Sequence, residues 1–137
     1  MKNKVIIYCR VSTIEQAKYG YSLEAQEQNC KKFAIDNNFQ IDKIFIERGE
    51  SAKTINRTEL TKLLEYAKKN NKNISAIIVW KFDRLSRNLE DALLIRRDLN
   101  YLKINVLSVT ENNENNAKDN FYRNILSLMH NLKMKQI

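Results

Sequence analysis

Long apolar runs, cysteine and histidine are all scarce in this sequence. None of its 137 residues belongs to an apolar run near the roughly 20 residues that a membrane-spanning helix needs. Its N-terminus also lacks the apolar stretch of a signal peptide. We therefore expect a cytoplasmic protein with no membrane partner. With 43% hydrophobic residues, the chain has the size and composition of one domain that buries a core.

The few cysteines and the single histidine exclude several kinds of site. Cys9 and Cys30 have no paired spacing typical of a metal site or a disulfide framework, and both fall on apolar positions, which predicts core thiols. His130 is far along the chain from any serine elbow of the G-x-S-x-G type, which argues against a Ser-His-Asp hydrolase. The sequence also lacks an acidic ligand cluster and a Gly-Lys-Ser/Thr loop, so we predict neither metal nor nucleotide.

The charge balance favours an anionic partner. Lysine and arginine number 24 against 16 acidic residues, which gives a net charge of +8, and the pI is near 9.5. Such a surface attracts polyanions, and nucleic acid is the common case. Charge alone identifies no partner, because many basic domains bind nothing anionic specifically.

Strand and helix patterns alternate along the chain. Short apolar segments predict strands over residues 4–9, 41–46, 74–80 and 104–110. Stripes at steps of three and four predict helices over 23–36, 60–67 and 89–102, the first of them capped by Ser22. The polar segment 47–56 predicts a mobile surface loop. The alternation predicts an α/β fold with a mostly parallel sheet of four to five strands and helices on both faces.

The last segment differs from the rest. After an Asn-rich loop over residues 111–120, apolar side chains follow a helical stripe to the end of the chain. One interpretation is a helix packed on its own sheet, and the other is a long oligomerisation helix that needs a second copy. The stripe consists of Phe121, Ile125, Leu128, Met129 and Leu132.

Polar side chains that follow the predicted strands suggest the chemistry. The carboxyl ends of parallel strands are where such sheets bind ligands. Arginine suits phosphate because its planar fork donates two parallel hydrogen bonds, whereas a serine hydroxyl is a weak nucleophile until it is polarised. Arginine-assisted attack by a serine on a phosphate is the chemistry that remains. The residues concerned are Arg10 and Ser12 after the first strand, Glu47, Arg48 and Arg57 after the second, and Lys81, Asp83, Arg84 and Arg87 after the third.

Each of these residues also has a purely structural interpretation. Ser12 and Glu15 match a capping box, and the charged residues from Asp83 onward match a solvated ion-pair network. Tyr8 fits a half-buried strand position, and Gln26 fits a core polar group with satisfied hydrogen bonds. Asp83 has two candidate roles, either a general acid for the leaving oxygen or a holder of the neighbouring arginines.

Taken together, these segments resemble the serine recombinase (resolvase/invertase) family. Tyr8-Cys9-Arg10-Val11-Ser12-Thr13 resembles the family's Y-x-R-V-S-T segment, Ser22-Leu23-Glu24-Ala25-Gln26 its S-L-x-x-Q segment, and Lys81-Phe82-Asp83-Arg84-Leu85-Ser86-Arg87 its K-x-D-R-L-x-R segment. Residues 47–60 resemble the family's mobile loop. The likeness covers essentially the whole chain, and the spacing between Ser12 and Ser22 is more similar to the large serine recombinases, such as phage integrases and mobile-element transposases.

The resemblance implies a mechanism and its residues. Ser12 would form a 5′-phosphoserine link with double-stranded DNA and free a 3′-hydroxyl, while Arg10 contacts the scissile phosphate. A homodimer would become a homotetramer that rotates half its subunits before religation, without metal or nucleotide cofactor. The other implied site residues are Gln26, Arg57, Asp83, Arg84 and Arg87, with support from Tyr8, Gln16 and Lys68, for which Lys69 is the alternative.

One stretch departs from the family pattern. The family usually has an acid and an arginine late in the long helix, where this chain reads Leu132-Lys133-Met134-Lys135-Gln136. We expect a catalytic domain over 1–120, the start of the interface helix over 121–137, and DNA-binding domains outside this chain. Two alternatives are a truncated dimerisation module or mobile-element remnant that cuts nothing, and a serine hydrolase of small phosphate or acyl esters.

Overall fold

Four parallel strands form one sheet in the residues that the computed structural model describes, which are 2–12, 22–49, 58–86 and 89–111. Their order across the sheet is β2-β1-β3-β4. The strands are β1 (Lys4–Ser12), β2 (Gln40–Gly49), β3 (Ile74–Val79) and β4 (Asn105–Ser108). The helices between them are α1 (Leu23–Asp36), α2 (Thr58–Lys69) and α3 (Leu89–Tyr101). The predicted α/β fold with a parallel sheet is confirmed.

The helices cover both faces of this sheet, as predicted. Buried residues of α1 pack against one face, and those of α2 and α3 pack against the other. Right-handed crossovers explain this division, because the chain moves one way from β1 to β2 and the opposite way from β2 to β3 and β4. The direction reverses beside β1 and β3, so a crevice for ligands is expected at their carboxyl ends.

The central strand β1 is apolar because it is covered on both sides. Ile6 and Tyr8 belong to the core on the α2 and α3 face, whereas Ile7 and Cys9 belong to the core on the α1 face. A parallel strand buried in this way reads as a continuous apolar run, which is the pattern in the sequence. Tyr8 is fully buried, so the interpretation of a half-buried strand residue is wrong.

The first helix begins and packs as its sequence predicts. The Ser22 hydroxyl accepts a hydrogen bond from the Ala25 amide at 3.0 Å and so caps α1. Cys30 lies on its buried side, and both cysteines are buried and free, which confirms the predicted core thiols.

Three strand boundaries differ from the prediction by two residues or more. Residues 47–49 belong to β2 rather than to a loop, because Glu47 pairs with Arg10 and Gly49 pairs with Ser12. That pairing also carries β1 three residues beyond its apolar run. Conversely, β4 ends at Ser108, although the next amides still donate to main-chain carbonyls of the neighbouring chain segment. Sheet pairing with a neighbour thus overrides local polarity at these ends.

Two predicted features lie outside the described residues. These are most of the loop over 47–56, from residue 50 onward, and the C-terminal helix with its stripe from Phe121 to Leu132. Among the described helices, none has the length and apolar character needed to cross a bilayer.

Candidate active site at the carboxyl edge of the sheet

The candidate site lies where β1 and β3 end side by side. Arg10 is near the end of β1, and Ser12 is its last residue. Beyond β3 the chain passes through Trp80 and Lys81 into a 3₁₀ turn (Phe82–Arg84), which places two of the predicted site residues in that turn. The edge predicted from the sequence is therefore the edge at which these residues meet.

Arg10 holds the backbone of the 3₁₀ turn. Its Nε donates to the carbonyl oxygen of Arg84 at 3.0 Å, and its Nη2 donates to the carbonyl oxygen of Asp83 at 2.9 Å. The planar fork of a guanidinium is suited to two such acceptors at once. Because both acceptors belong to the main chain, β1 and the turn after β3 are joined into one frame.

Arg84 is a buried cation in this frame. Its side chain is only 5% exposed, whereas that of the adjacent Asp83 is 64% exposed. The Arg84 Nε lies 4.0 Å from the Asp83 Oδ1. A guanidinium removed from water needs compensating contacts. This burial does not match the interpretation of Asp83 and Arg84 as a fully solvated ion-pair network.

Trp80 provides part of that compensation. Its ring lies 5.3 Å from the guanidinium carbon of Arg84 and 4.9 Å from the Nζ of Lys81. Both distances are within the range in which an aromatic face attracts a cation. Trp80 thus gathers two positive charges at the edge of the sheet, a role that the sequence analysis did not assign to it.

Glu47 connects β2 to the start of α2. Its Oε2 accepts the amide hydrogen of Glu59 at 3.0 Å, so the carboxylate stabilises the first turn of the helix. The side chain is buried, and its Oε1 has no hydrogen-bond partner in residues 2–12, 22–49, 58–86 and 89–111. Glu47 therefore fixes the chain just after the predicted site residue Arg57, which itself lies outside the described residues.

Gln26 approaches the same edge from the other face of the sheet. It belongs to the buried side of α1, one turn closer to the carboxyl edge than Cys30. The residue is 2% exposed, and among the residues that the structure describes neither its Oε1 nor its Nε2 has a hydrogen-bond partner. The interpretation of Gln26 as a satisfied core polar group is therefore wrong. Burying an amide in this way is costly, which is typical of a group kept for another purpose.

Two of the predicted supporting residues lie away from this edge. The ring of Tyr8 is enclosed in the core on the α2 and α3 face. Lys68 is exposed in the last turn of α2, which leads into the turn before Ile74 at the start of β3. It therefore lies at the amino edge of the sheet, and the same holds for Lys69.

Several predicted residues lie wholly or partly outside the described residues. The side chain of Ser12 lies outside the described part of the structure, although its main chain ends β1. Gln16, Arg57 and Arg87 lie outside it entirely, as do the five residues of the C-terminal stripe. Within the described ranges, no three His, Cys, Asp or Glu side chains are grouped as a metal site would require.

Glu111 is a residue of this edge that the sequence analysis missed. It was predicted as the start of a polar loop, yet its Oε1 accepts the amide hydrogen of Phe82 at 2.9 Å. The signal was available, because Glu111 follows the last predicted strand and the strand ends mark the site. The candidate residues taken from strand ends come from the first three strands alone.

Comparison with known proteins gives the family of this chain. Over 135 residues it is 32% identical to an inferred DNA recombinase of Bacillus subtilis (strain 168), which matches 96% of this chain but only 26% of the relative's own length. The N-terminal catalytic domain of TP901-1 integrase superposes with a TM-score of 0.75 at 28% identity, covering 96% of this chain and 97% of that one.

A second solved structure supports the same assignment. It is a resolvase family site-specific recombinase from Streptococcus pneumoniae, with a TM-score of 0.75, 28% identity and coverage of 98% and 93% of the two chains. Residues 5–137 also match the family model described as the resolvase N-terminal domain. This chain therefore belongs to the resolvase family and carries its N-terminal domain.

Proposed function

We propose that this chain is the catalytic domain of a site-specific DNA recombinase in which Ser12 attacks a DNA phosphodiester. The observation that carries the proposal is the double hydrogen bond from Arg10 to the carbonyls of Asp83 and Arg84. It fixes two guanidinium-bearing segments beside the strand end that Ser12 terminates. The family of the chain supports DNA as the substrate.

The proposed reaction exchanges one phosphodiester for another. The Ser12 oxygen bonds to phosphorus, the bond to the 3′ oxygen breaks, and a 5′-phosphoserine link and a 3′-hydroxyl result. The serine proton is lost and the 3′ oxygen gains one. Arginine stabilises the charge that develops on the phosphate oxygens. The serine ester conserves the free energy of the broken phosphodiester bond. Religation can therefore proceed as the reverse reaction.

The geometry supports the other proposed roles to different degrees. Gln26 is favoured by its buried amide, which has no partner within the described ranges and needs an acceptor or donor that a substrate could supply. Arg57, Arg87 and Gln16 are proposed from the family resemblance. Lys68 gains no support, because it lies at the opposite edge of the sheet.

Oligomerisation is a further part of the proposal. We infer that the apolar stripe over 121–132 pairs with a second copy, so that dimers assemble into the tetramer that exchanges strands. DNA-binding regions elsewhere in the gene product would select the site.

Sedimentation of the protein and of Leu128→Asp tests the pairing. The variant should sediment as a monomer under conditions where the unaltered protein sediments as a dimer or larger oligomer. Equal sedimentation of the two proteins would contradict pairing through the apolar stripe.

The catalytic proposal is tested by trapping the covalent complex. The full-length gene product is incubated with supercoiled DNA that carries the sequences flanking its gene, and the reaction is stopped with denaturant. A protein–DNA complex should remain on a denaturing gel, with free 3′ ends and blocked 5′ ends. The complex should be absent with Ser12→Ala. A complex that persists in this variant, or none with the unaltered protein, would overturn the proposal.

A further inference from the structure

The end of β4 is hydrogen-bonded to the chain segment that leads into Asp83 and Arg84. The carbonyl oxygen of Trp80 accepts from the Ser108 hydroxyl at 3.1 Å and from the Thr110 hydroxyl at 3.1 Å. The amide of Thr110 approaches the same oxygen at 3.2 Å. The strand end of β4 thus continues as a bracket, which we define as residues 108–111, along the segment after β3.

Glu111 closes this bracket. Its own amide donates to the Ser108 hydroxyl at 3.2 Å, and its Oε1 accepts the Phe82 amide hydrogen at 2.9 Å. Phe82 is the first residue of the 3₁₀ turn, where an amide has no partner within the turn. A carboxylate is a strong acceptor for such an amide. Glu111 therefore fixes the entry of the turn, while its carboxylate remains near the surface.

The exit of the same turn is fixed from the opposite side. Arg10 of β1 donates to the carbonyls of Asp83 and Arg84, which are the last two residues of the turn. The turn is thus held between two charged side chains from strands on either side of β3. A turn of three residues has little internal structure of its own, so these two contacts help to fix its position together with the core packing of Phe82 and Leu85.

We propose that Glu111 is a positioning residue for the reaction at this edge. It holds the 3₁₀ turn in the position at the sheet edge from which Asp83 and Arg84 act on the phosphate. The inference rests on the proposed function, because it concerns the same site. A displacement of about 1 Å in such a group can slow a reaction on the order of 100-fold. We expect a loss of about 5- to 30-fold, since Arg10 still holds the exit of the turn.

Three variants separate the hydrogen bond from the charge. Glu111→Ala removes both, whereas Glu111→Gln removes the charge but keeps an oxygen that can accept the Phe82 amide. Glu65→Ala, at an exposed position of α2, removes the same charge far from the turn. All three variants raise the net charge by one unit, so general attraction to DNA changes equally.

Two readouts are measured with each variant. The first is the rate of the covalent step at saturating DNA, together with the DNA concentration at half-saturation. The second is hydrogen exchange at the Phe82 amide. Glu111→Ala should lower the rate with little change in half-saturation and should speed exchange at Phe82. Glu111→Gln should restore most of the rate, and Glu65→Ala should match the unaltered protein.

The outcomes distinguish this inference from the function on which it rests. If the unaltered protein forms a complex and Glu111→Ala forms it at the same rate, Glu111 does not position the turn. If Glu111→Gln is as slow as Glu111→Ala, the charge rather than the hydrogen bond matters and the inference is wrong. If the unaltered protein forms no complex, the proposed function fails, and this role fails with it.

Discussion

Arg10 and Arg84 are joined through the main chain, with the Nε of Arg10 donating to the carbonyl oxygen of Arg84 at 3.0 Å. The contact bridges 74 residues of sequence and links two strands that end side by side. Like charges would otherwise separate these side chains. The carbonyl contact brings both arginines to one edge of the sheet, where the proposed function requires positive charge.

Replacing Arg10 should destabilise the fold as well as the reaction. Arg10→Met removes both carbonyl contacts and should lower the free energy of unfolding by about 1 to 2 kcal/mol. Arg10→Lys keeps the charge but cannot span two carbonyls, so it should lose about 1 kcal/mol. Urea denaturation measures both. Arg97→Met, on the exposed side of α3, is the matched control and should change stability by less than about 0.5 kcal/mol. Equal stability of Arg10→Met and this control would show that the two carbonyl contacts of Arg10 do not stabilise the fold.

Gln26 should show a conflict between stability and activity. Its amide is buried and has no hydrogen-bond partner in the described part of the chain, so Gln26→Met should raise the free energy of unfolding by about 1 kcal/mol. The same variant should slow formation of the covalent complex. Gln28→Met, at an exposed position of the same helix, should change neither quantity. A destabilised Gln26→Met protein would mean that the amide has a structural partner in solution.

The Cys9 and Cys30 pair predicts a specific alkaline response. The hydrogen bond that Cys30 shares with Cys9, and then burial, raise the pKa of the Cys30 thiol above its ordinary 9.0. Above pH 9.0 the unfolded chain therefore loses this proton while the folded protein keeps it. The free energy of unfolding should fall by about 1.4 kcal/mol per pH unit from this group.

Comparison with Cys30→Ala isolates that contribution, because the other titrating groups are shared. The stability difference between the two proteins should be constant below pH 9 and should change above it. Neither thiol of the folded protein should react with an aromatic disulfide reagent at pH 8, and both should react in urea. Rapid reaction of the folded protein would contradict the buried pair.

Asp83 can be assigned to one of its two roles with a modified substrate. A general acid is needed for an oxygen leaving group but not for sulfur, because a thiolate leaves without a proton. Asp83→Asn should therefore slow cleavage on the order of 100-fold with ordinary DNA if Asp83 is the acid. A bridging 3′-phosphorothiolate should then restore the rate of the variant. Equal slowing with both substrates would instead indicate that Asp83 orients the arginines.

The fold could be predicted because its pattern is local. The buried parallel strand 74–79 is apolar except at Ser75, and α1 shows both its Ser22 cap and its inward stripe in the sequence. The ends of β1 and β2 could not be predicted. Their last residues include the polar Arg10 and Glu47, which are held in the strands by pairing with each other. Such pairing joins distant parts of the chain, so the local sequence pattern does not show it.

The sequence could predict the sheet edge at which Arg10, Asp83 and Arg84 meet, while their part in a reaction stays a prediction. Arginine, serine and aspartate at strand ends carry a visible signal, and the family resemblance sharpened it. The contacts themselves carry none, because a hydrogen bond from Arg10 to a main-chain carbonyl places no demand on the side chain at the other end. Glu111 also contacts only main chain, so its place after the last predicted strand is its single signal in the sequence. The contacts of Trp80 with Lys81 and Arg84 depend on how the chain turns after β3. Gln26 was predicted, but its unpartnered amide required the structure.

The central claim concerns one covalent bond, which mass spectrometry can observe directly. The trapped complex is digested with nuclease and protease, and the peptides are sequenced by fragmentation. A peptide that contains Ser12 should carry a deoxynucleoside 5′-monophosphate on the serine oxygen. Treatment with alkali should remove this added mass. A nucleotide attached to any other side chain, or a Ser12 peptide that stays unmodified while DNA is cut, would contradict the account.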